Sequence, residues 1–165
     1  MTASTPRKPA GGITAATITP AGNLLRAALG ADGRAEAVFH DGTLLTRLPL
    51  AEERSSYTEL SDTQAGPQRV RHTLKLVVSR EAARTLFGPA FRRTAATEGL
   101  IATVTAASGE RLLIGWSARL GREQPLRLGS VSNESGVKPL DGTPVVVTLT
   151  CEDADPAPEL KQQEP

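Results

Sequence analysis

The sequence predicts an α+β fold: mainly antiparallel strands, arranged as a β-sandwich or a curved, barrel-like sheet, with one flanking α-helix over about residues 80–97. Three observations carry that expectation. Apolar and polar residues alternate through Val70-Arg71-His72-Thr73-Leu74-Lys75-Leu76-Val77-Val78 and again through residues 145–151, the period-2 pattern of strands with one buried face. Between strand-like runs lies one stretch, residues 79–99, whose apolar positions recur at helical spacing. Strands and helices do not alternate along the chain, which disfavours a doubly wound parallel sheet.

Taken in order, residues 1–22 are rich in Thr, Ala, Pro and Gly and read as a flexible N-terminal arm. A single globular domain is expected over residues 23–152. Leu24, Leu25, Ala28 and Leu29 suggest a short helical turn or strand, ended by Gly30 and an Asp32-Gly33 turn. Residues 35–40 and 43–48 flank Asp41-Gly42, a pair suited to the positive φ angles of a type I′ hairpin turn. Residues 51–68 are polar and without clear period, and read as a long projecting loop. Ser79 then occupies an N-cap position with Glu81 in the first turn. Ala83, Leu86, Phe87, Ala90 and Phe91 form the apolar stripe, Gly88-Pro89 implies a kink or a restart, and Gly99 a stop. Residues 100–106 and 111–117 form a second hairpin through Gly109, with Leu112, Ile114 and Trp116 expected on one face and Gly115 marking a bulge or close approach. Residues 126–131 give a further strand after Pro125, a polar loop follows over 133–143, and Cys151 is expected to point inward from the last strand. Residues 153–165 read as a disordered C-terminal tail.

Composition narrows the function. The formal net charge is +1, from 19 basic and 18 acidic residues, which argues against a dedicated duplex-DNA or anionic-membrane partner but leaves room for a local basic patch. Aromatic residues make up only 3%, so base stacking on single-stranded nucleic acid is poorly supplied, and extra burial through oligomerisation is a natural complement. A lone cysteine, Cys151, excludes an intramolecular disulfide and any multi-cysteine metal site. No apolar run approaches the roughly 18–20 residues that span a bilayer, and no h-region follows Arg7 and Lys8. These features lead to the expectation of a soluble protein made in a reducing cytoplasm.

No catalytic set emerges. There is no G-x-S-x-G elbow and no phosphate-binding glycine loop. Asp32-Gly33, Asp41-Gly42 and Asp141-Gly142 sit where turns belong rather than opening calcium loops. His40 and His72 are the only histidines, and strand or surface positions explain both better than a metal site. No catalytic residue, cofactor or metal is therefore expected. Arg80, Arg84, Arg92, Arg93, Arg111, Arg119, Arg122 and Arg127 make residues 80–127 locally basic. Opposed to them, the 51–68 loop carries Glu52, Glu53, Arg54, Glu59 and Asp62. The expected subunit interface therefore sets those loop residues against Arg84, Arg92, Arg119 and Arg122 of a neighbour, a head-to-tail contact.

The strand–helix–strand–strand order from His72 to Cys151, with the run Gln124-Pro125-Leu126-Arg127-Leu128, resembles small virion proteins encoded by prophages of gut bacteria, of the tail-tube and tail-completion group. The resemblance implies a β-sandwich flanked by one helix. It also implies a homo-oligomeric, possibly hexameric, ring that contacts other virion proteins, with the chain located in the virion after synthesis in the host cytoplasm. It implies no catalytic residue, and neither membrane nor sequence-specific nucleic acid as partner. A cytoplasmic ligand- or peptide-binding module is the competing class, and would need a concave apolar pocket. An enzyme of unrecognised type is disfavoured by the scattered acids, histidines and cysteine.

Overall fold

The structure is a computed structural model, which describes residues 12–40, 46–50, 55–62, 69–133 and 144–161. The described residues begin with β1 (Ile13–Pro20), β2 (Leu24–Leu29), β3 (Ala35–Phe39), β4 (Thr46–Arg47), β5 (Ser56–Asp62) and β6 (Arg69–Ser79). Two helices follow, α1 (Arg80–Leu86) and α2 (Pro89–Thr97). The chain continues through β7 (Leu100–Ala106), β8 (Arg111–Ile114), β9 (Trp116–Ser117), β10 (Arg122–Glu123), β11 (Arg127–Asn133) and β12 (Pro144–Asp153). Two four-stranded sheets run in the orders β4-β1-β7-β8 and β11-β12-β6-β5, with two-stranded pieces β2-β3 and β9-β10. Every pairing between these strands is antiparallel. The α+β class holds, with two helices, and among the described residues neither four-stranded sheet closes into a barrel.

Alternation places the core. Val70, His72, Leu74, Leu76 and Val78 of β6 are buried, as are Val145, Val147 and Leu149 of β12. The apolar members from Leu74 onward share one cluster with Ile13, Ala16 and Ile18 of β1, Leu100, Ala102 and Val104 of β7, and Ile114 of β8. Each large side chain so buried contributes roughly 1.5–3 kcal/mol. Ala83, Phe87 and Ala95 anchor the helices to the same cluster. A second, smaller cluster (Ala21, Leu24, Ala35, Ile101, Leu113, Trp116, Leu160) lies beneath the β2–β3 hairpin.

Several expectations need correction. The part of the expected N-terminal arm that is described forms β1, which pairs with β7 from Ile13↔Ala106 to Pro20↔Leu100. A register shift between Ile13 and Ala15 breaks the alternation, so the inward residues Ile13, Ala16 and Ile18 do not look periodic in sequence; residues 1–11 lie outside the described residues. The helical stretch is two helices. Ser79 Oγ accepts the Ala82 N–H (3.1 Å) to start α1, and Pro89 stands at the first position of α2 after Gly88, the restart that Gly88-Pro89 implies. Gly99, at φ +83°, ends α2 as expected.

The Asp41-Gly42 turn lies outside the described residues, and its two flanking runs do not pair with each other there. β3 pairs with β2 across the Asp32-Gly33 turn, while β4 pairs with β1. Gly33 has φ +78° and Asp32 Oδ1 accepts the Arg34 N–H (3.1 Å), the local chemistry of a tight turn. The long polar loop is in part a strand. Residues 56–62 form β5 and pair with β6 from Ser56↔Lys75 to Asp62↔Arg69. Tyr57 packs against the core while Leu60 is exposed, so the apolar residues of this edge strand fall on both faces and no period shows. Finally, Trp116 does not share a face with Leu112 and Ile114. Gly115 adopts φ +104°, which interrupts the strand and sends Trp116 into the second cluster beside Leu113.

The C-terminal tail is also not loose over its described part. Residues 158–161 lie between β8 and β3. Leu113 N–H donates to Pro158 O (3.0 Å) and Leu160 N–H to Arg111 O (2.7 Å) on one side. Ala35 N–H donates to Glu159 O (2.7 Å) and Lys161 N–H to Ala35 O (2.8 Å) on the other. Leu160 is buried against the second cluster. Sequence composition hid this because a short strand with one apolar anchor carries no period.

Two outcomes follow from this packing. A Cβ at Gly115 would stand 2.8 Å from Leu100 O and 3.0 Å from Ile101 Cδ1. Gly115→Ala is therefore expected to lose at least about 2 kcal/mol, from backbone strain and overpacking together. Gly109→Ala, at φ +91° with nothing within 4 Å, should lose about 1 kcal/mol from strain alone; equal losses in urea denaturation would contradict the close approach. Truncation after Pro156 should strip amide-exchange protection selectively from β2 and β3, since it removes the backbone bonds that tie them to β8. Unchanged protection there would show that the hairpin holds its place without the tail.

Candidate functional site

A concavity lies where α1 breaks into α2. Arg80 and Arg84 stand one turn apart on α1, Arg92 in the first turn of α2, and Ala83, Phe87, Gly88 and Pro89 complete the helical wall. Val131 of β11 and Val145 of β12 close the other side of a groove of about 740 Å³. Its position follows from local chemistry. Pro89 cannot continue the α1 hydrogen-bond ladder, so the axis breaks there and leaves a notch over the β11–β12 pair. Phe87, 3% exposed, fixes the notch from below and meets Phe91 edge-on, with ring centroids 4.7 Å apart.

Its electrostatics are one-sided. Every charged residue lining the groove among the described residues is an arginine, and none of the ion pairs formed among them involves Arg84 or Arg92. No side chain caps α2 at Gly88, so the positive end of that helix dipole adds to the same field. A groove of like charges over an apolar floor suits an anionic group attached to an apolar one.

The expected interface residues separate. Arg84 and Arg92 meet in the groove. Arg119 does not line it, and instead holds Asp155 through Nε (3.1 Å) and Nη2 (2.9 Å). Arg122 lies on β10, opposite Ser117 in register, also outside the groove. On the acidic side, Glu59 Oε1 is engaged within the chain, accepting from Tyr57 Oη (2.7 Å) and the Ala157 N–H (2.9 Å). Asp62 ends β5, opposite Arg69; Glu52, Glu53 and Arg54 lie outside the described residues. The single basic patch expected from residues 80–127 is thus divided by the fold. Arg80, Val131 and Val145 complete the groove, and of these only Arg80, one helical turn before Arg84, had a sequence signal.

Ser117, Asp153 and His72 are each held by hydrogen bonds within the chain. Ser117, fully buried, donates to Asp153 Oδ1 (2.6 Å) and accepts the Leu120 N–H (3.2 Å). The same Asp153 oxygen accepts the Ala154 N–H (2.6 Å). His72 bonds through Nε2 to Asp155 O (3.0 Å) and faces the Tyr57 ring edge-on at 6.0 Å. No hydrogen bond among the described residues joins it to Ser117 or Asp153, so the three do not form a hydrogen-bonded triad there. Among the described residues, no group of three or more His, Cys, Asp and Glu side chains is arranged to hold a metal. No helix among them is long and apolar enough to cross a membrane. Compared with protein families, curated proteins and solved structures, the chain matches none.

Cys151 sits half-buried opposite His72 in the β6–β12 register. Burial, and secondarily the charges of Asp153 and Glu152, push its thiol from 9.0 up to about 12. Burial and the Glu59 hydrogen bond likewise raise the Tyr57 phenol above its ordinary 10.0. Both groups stay protonated in the folded chain at pH values where the unfolded chain ionises, so their contribution is full below the unfolded values and lost as pH rises. Stability should fall as pH climbs from about 9 toward about 12, with Cys151 acting first. Cys151→Ala should flatten the first part of that fall in denaturation midpoints. An unchanged slope, or rapid thiol labelling at neutral pH, would contradict a protected thiol.

Proposed function

We propose that this chain is a non-enzymatic structural subunit that works by assembling with copies of itself. The two four-stranded sheets serve as the layers of a β-sandwich, with the helices at one flank. The observation that supports the reading is a set of exposed apolar side chains on one hairpin, with Val38 opposite Arg26 and Leu29 opposite Ala35 in register. Leu25 (54% exposed), Leu29 (46%) and Val38 (38%) all belong to the β2–β3 hairpin. Three of the five large apolar side chains exposed among the described residues thus lie on this hairpin, with Leu60 and Leu120 elsewhere, and a concentration of this kind suits a contact surface. Charged side chains Arg26 and Glu36 on the same hairpin suit the polar rim of such a contact. A ring closed by head-to-tail contacts is the assembly proposed. Its placement in a phage-type tail, beside other virion proteins, rests on the resemblance alone.

Light scattering coupled to size-exclusion chromatography tests the assembly. The wild-type chain is expected to run as a large oligomer, and Leu25→Glu combined with Val38→Glu to run as a folded monomer, since both positions are exposed. A wild-type monomer at high concentration and in virion-like salt would end the structural-subunit reading. An oligomer untouched by the hairpin substitutions would move the contact elsewhere.

A further inference from the structure

We propose that the groove between α1, α2 and the β11–β12 pair docks an extended acidic segment of a partner protein. One apolar side chain of that segment sits on Phe87, Pro89, Val131 and Val145, and carboxylates on either side of it meet Arg84 and Arg92. The argument rests on charge complementarity within a shaped site. Arg84 and Arg92 come from different helices, are both exposed, and converge on one groove that no carboxylate lines among the described residues. Arg80, already engaged within the chain, lines the same wall. The guanidinium fork pairs with carboxylates in bidentate fashion, which confers orientation as well as attraction.

The apolar floor selects a peptide over a nucleic acid. Single-stranded nucleic acid binds where exposed aromatic faces stack on its bases. Here Phe87 is buried and Phe91 half-buried, so neither offers an open ring face. The valines and Pro89 instead form a seat for an aliphatic side chain. The uncapped start of α2 at Gly88 supports a carboxylate at the Arg92 end, without being the basis of the site. This inference stands apart from self-assembly: a monomer that binds the acidic segment would retain it and lose the previous reading.

Fluorescence anisotropy with a fluorescein-labelled Gly-Glu-Glu-Leu-Glu-Glu-Gly peptide tests it directly, on the full chain at low salt. The peptide should bind, and replacing its Glu residues by Gln should weaken binding by about tenfold or more. Replacing its Leu by Ser should weaken binding several-fold. Arg84→Glu with Arg92→Glu should abolish binding, whereas Arg122→Glu, the same charge change on β10, should leave it within about twofold. Amide shifts on titration should centre on Gly88, Ala90, Val131 and Val145. Should the double variant fail to fold, Arg84→Gln and Arg92→Gln separately should each lose several-fold. Absence of peptide binding, or equal binding by wild type and the groove variants, overturns the proposal. So does tighter binding of a short oligo-dT that competes the peptide away, which would make the groove a nucleic-acid surface.

Discussion

The pairing of β6 with β12 is the constraint on which the rest depends. Its unbroken register runs from Pro144↔Ser79 to Asp153↔Val70, and the two ends of that ladder launch the two features that matter. At one end Ser79 turns directly into the N-cap of α1, and Val145, one residue from the ladder's end, becomes a wall of the arginine groove. At the other, the chain leaves Asp153 already fastened by Ser117 and runs on to the slot between β8 and β3. A slip of one residue would send every inward side chain of β12 to the opposite face. Val147 and Leu149, both fully buried, make such a slip very unfavourable.

The tail segment joins two of the four sheets, β4-β1-β7-β8 and β2-β3. With residues 158–161 inserted, β8 is joined through the tail to β3 and so to β2. Main-chain hydrogen bonds and the buried Leu160 account for this join. The flanking ion pairs, Arg34 with Glu159 and Lys161 with Glu36, are exposed on both partners and contribute little. Thus the hairpin proposed as the assembly surface is held from beneath by the end of the chain. Its exposed Leu25 and Val38 lie on a braced element rather than on a loose flap.

Among the described residues, the buried polar side chains are mostly hydrogen-bonded. Asp153 is balanced by a hydroxyl and a backbone N–H. His72 is the exception, since its Nδ1 has no partner among the described residues. Its Nε2 bond to Asp155 O and the Arg119 grip on the Asp155 side chain hold the chain after β12 in place. Arginines at 119 and 84 thus have opposite roles: one is neutralised as a structural clasp, the other contributes to an open positive groove. Their sequence contexts do not distinguish them.

Local pattern by itself determined the α+β class, the β6 and β12 strands, the Ser79 cap, the break at Gly88-Pro89 and the β7–β8 hairpin. Each of these depends on contacts within a few residues or on strict alternation, which a linear sequence displays. Tertiary structure alone decided the partners of β1, β4 and β5, the seat of the tail, and which arginines share a groove. β1 hides its period behind a bulge, β5 is an edge strand with apolar residues on both faces, and the tail has one anchor. Their order is stabilised by long-range backbone pairing, a term that no local window contains. The groove is the same case, because Val131 and Val145 reach Arg84 and Arg92 only once the β11–β12 pair has folded against the broken helix.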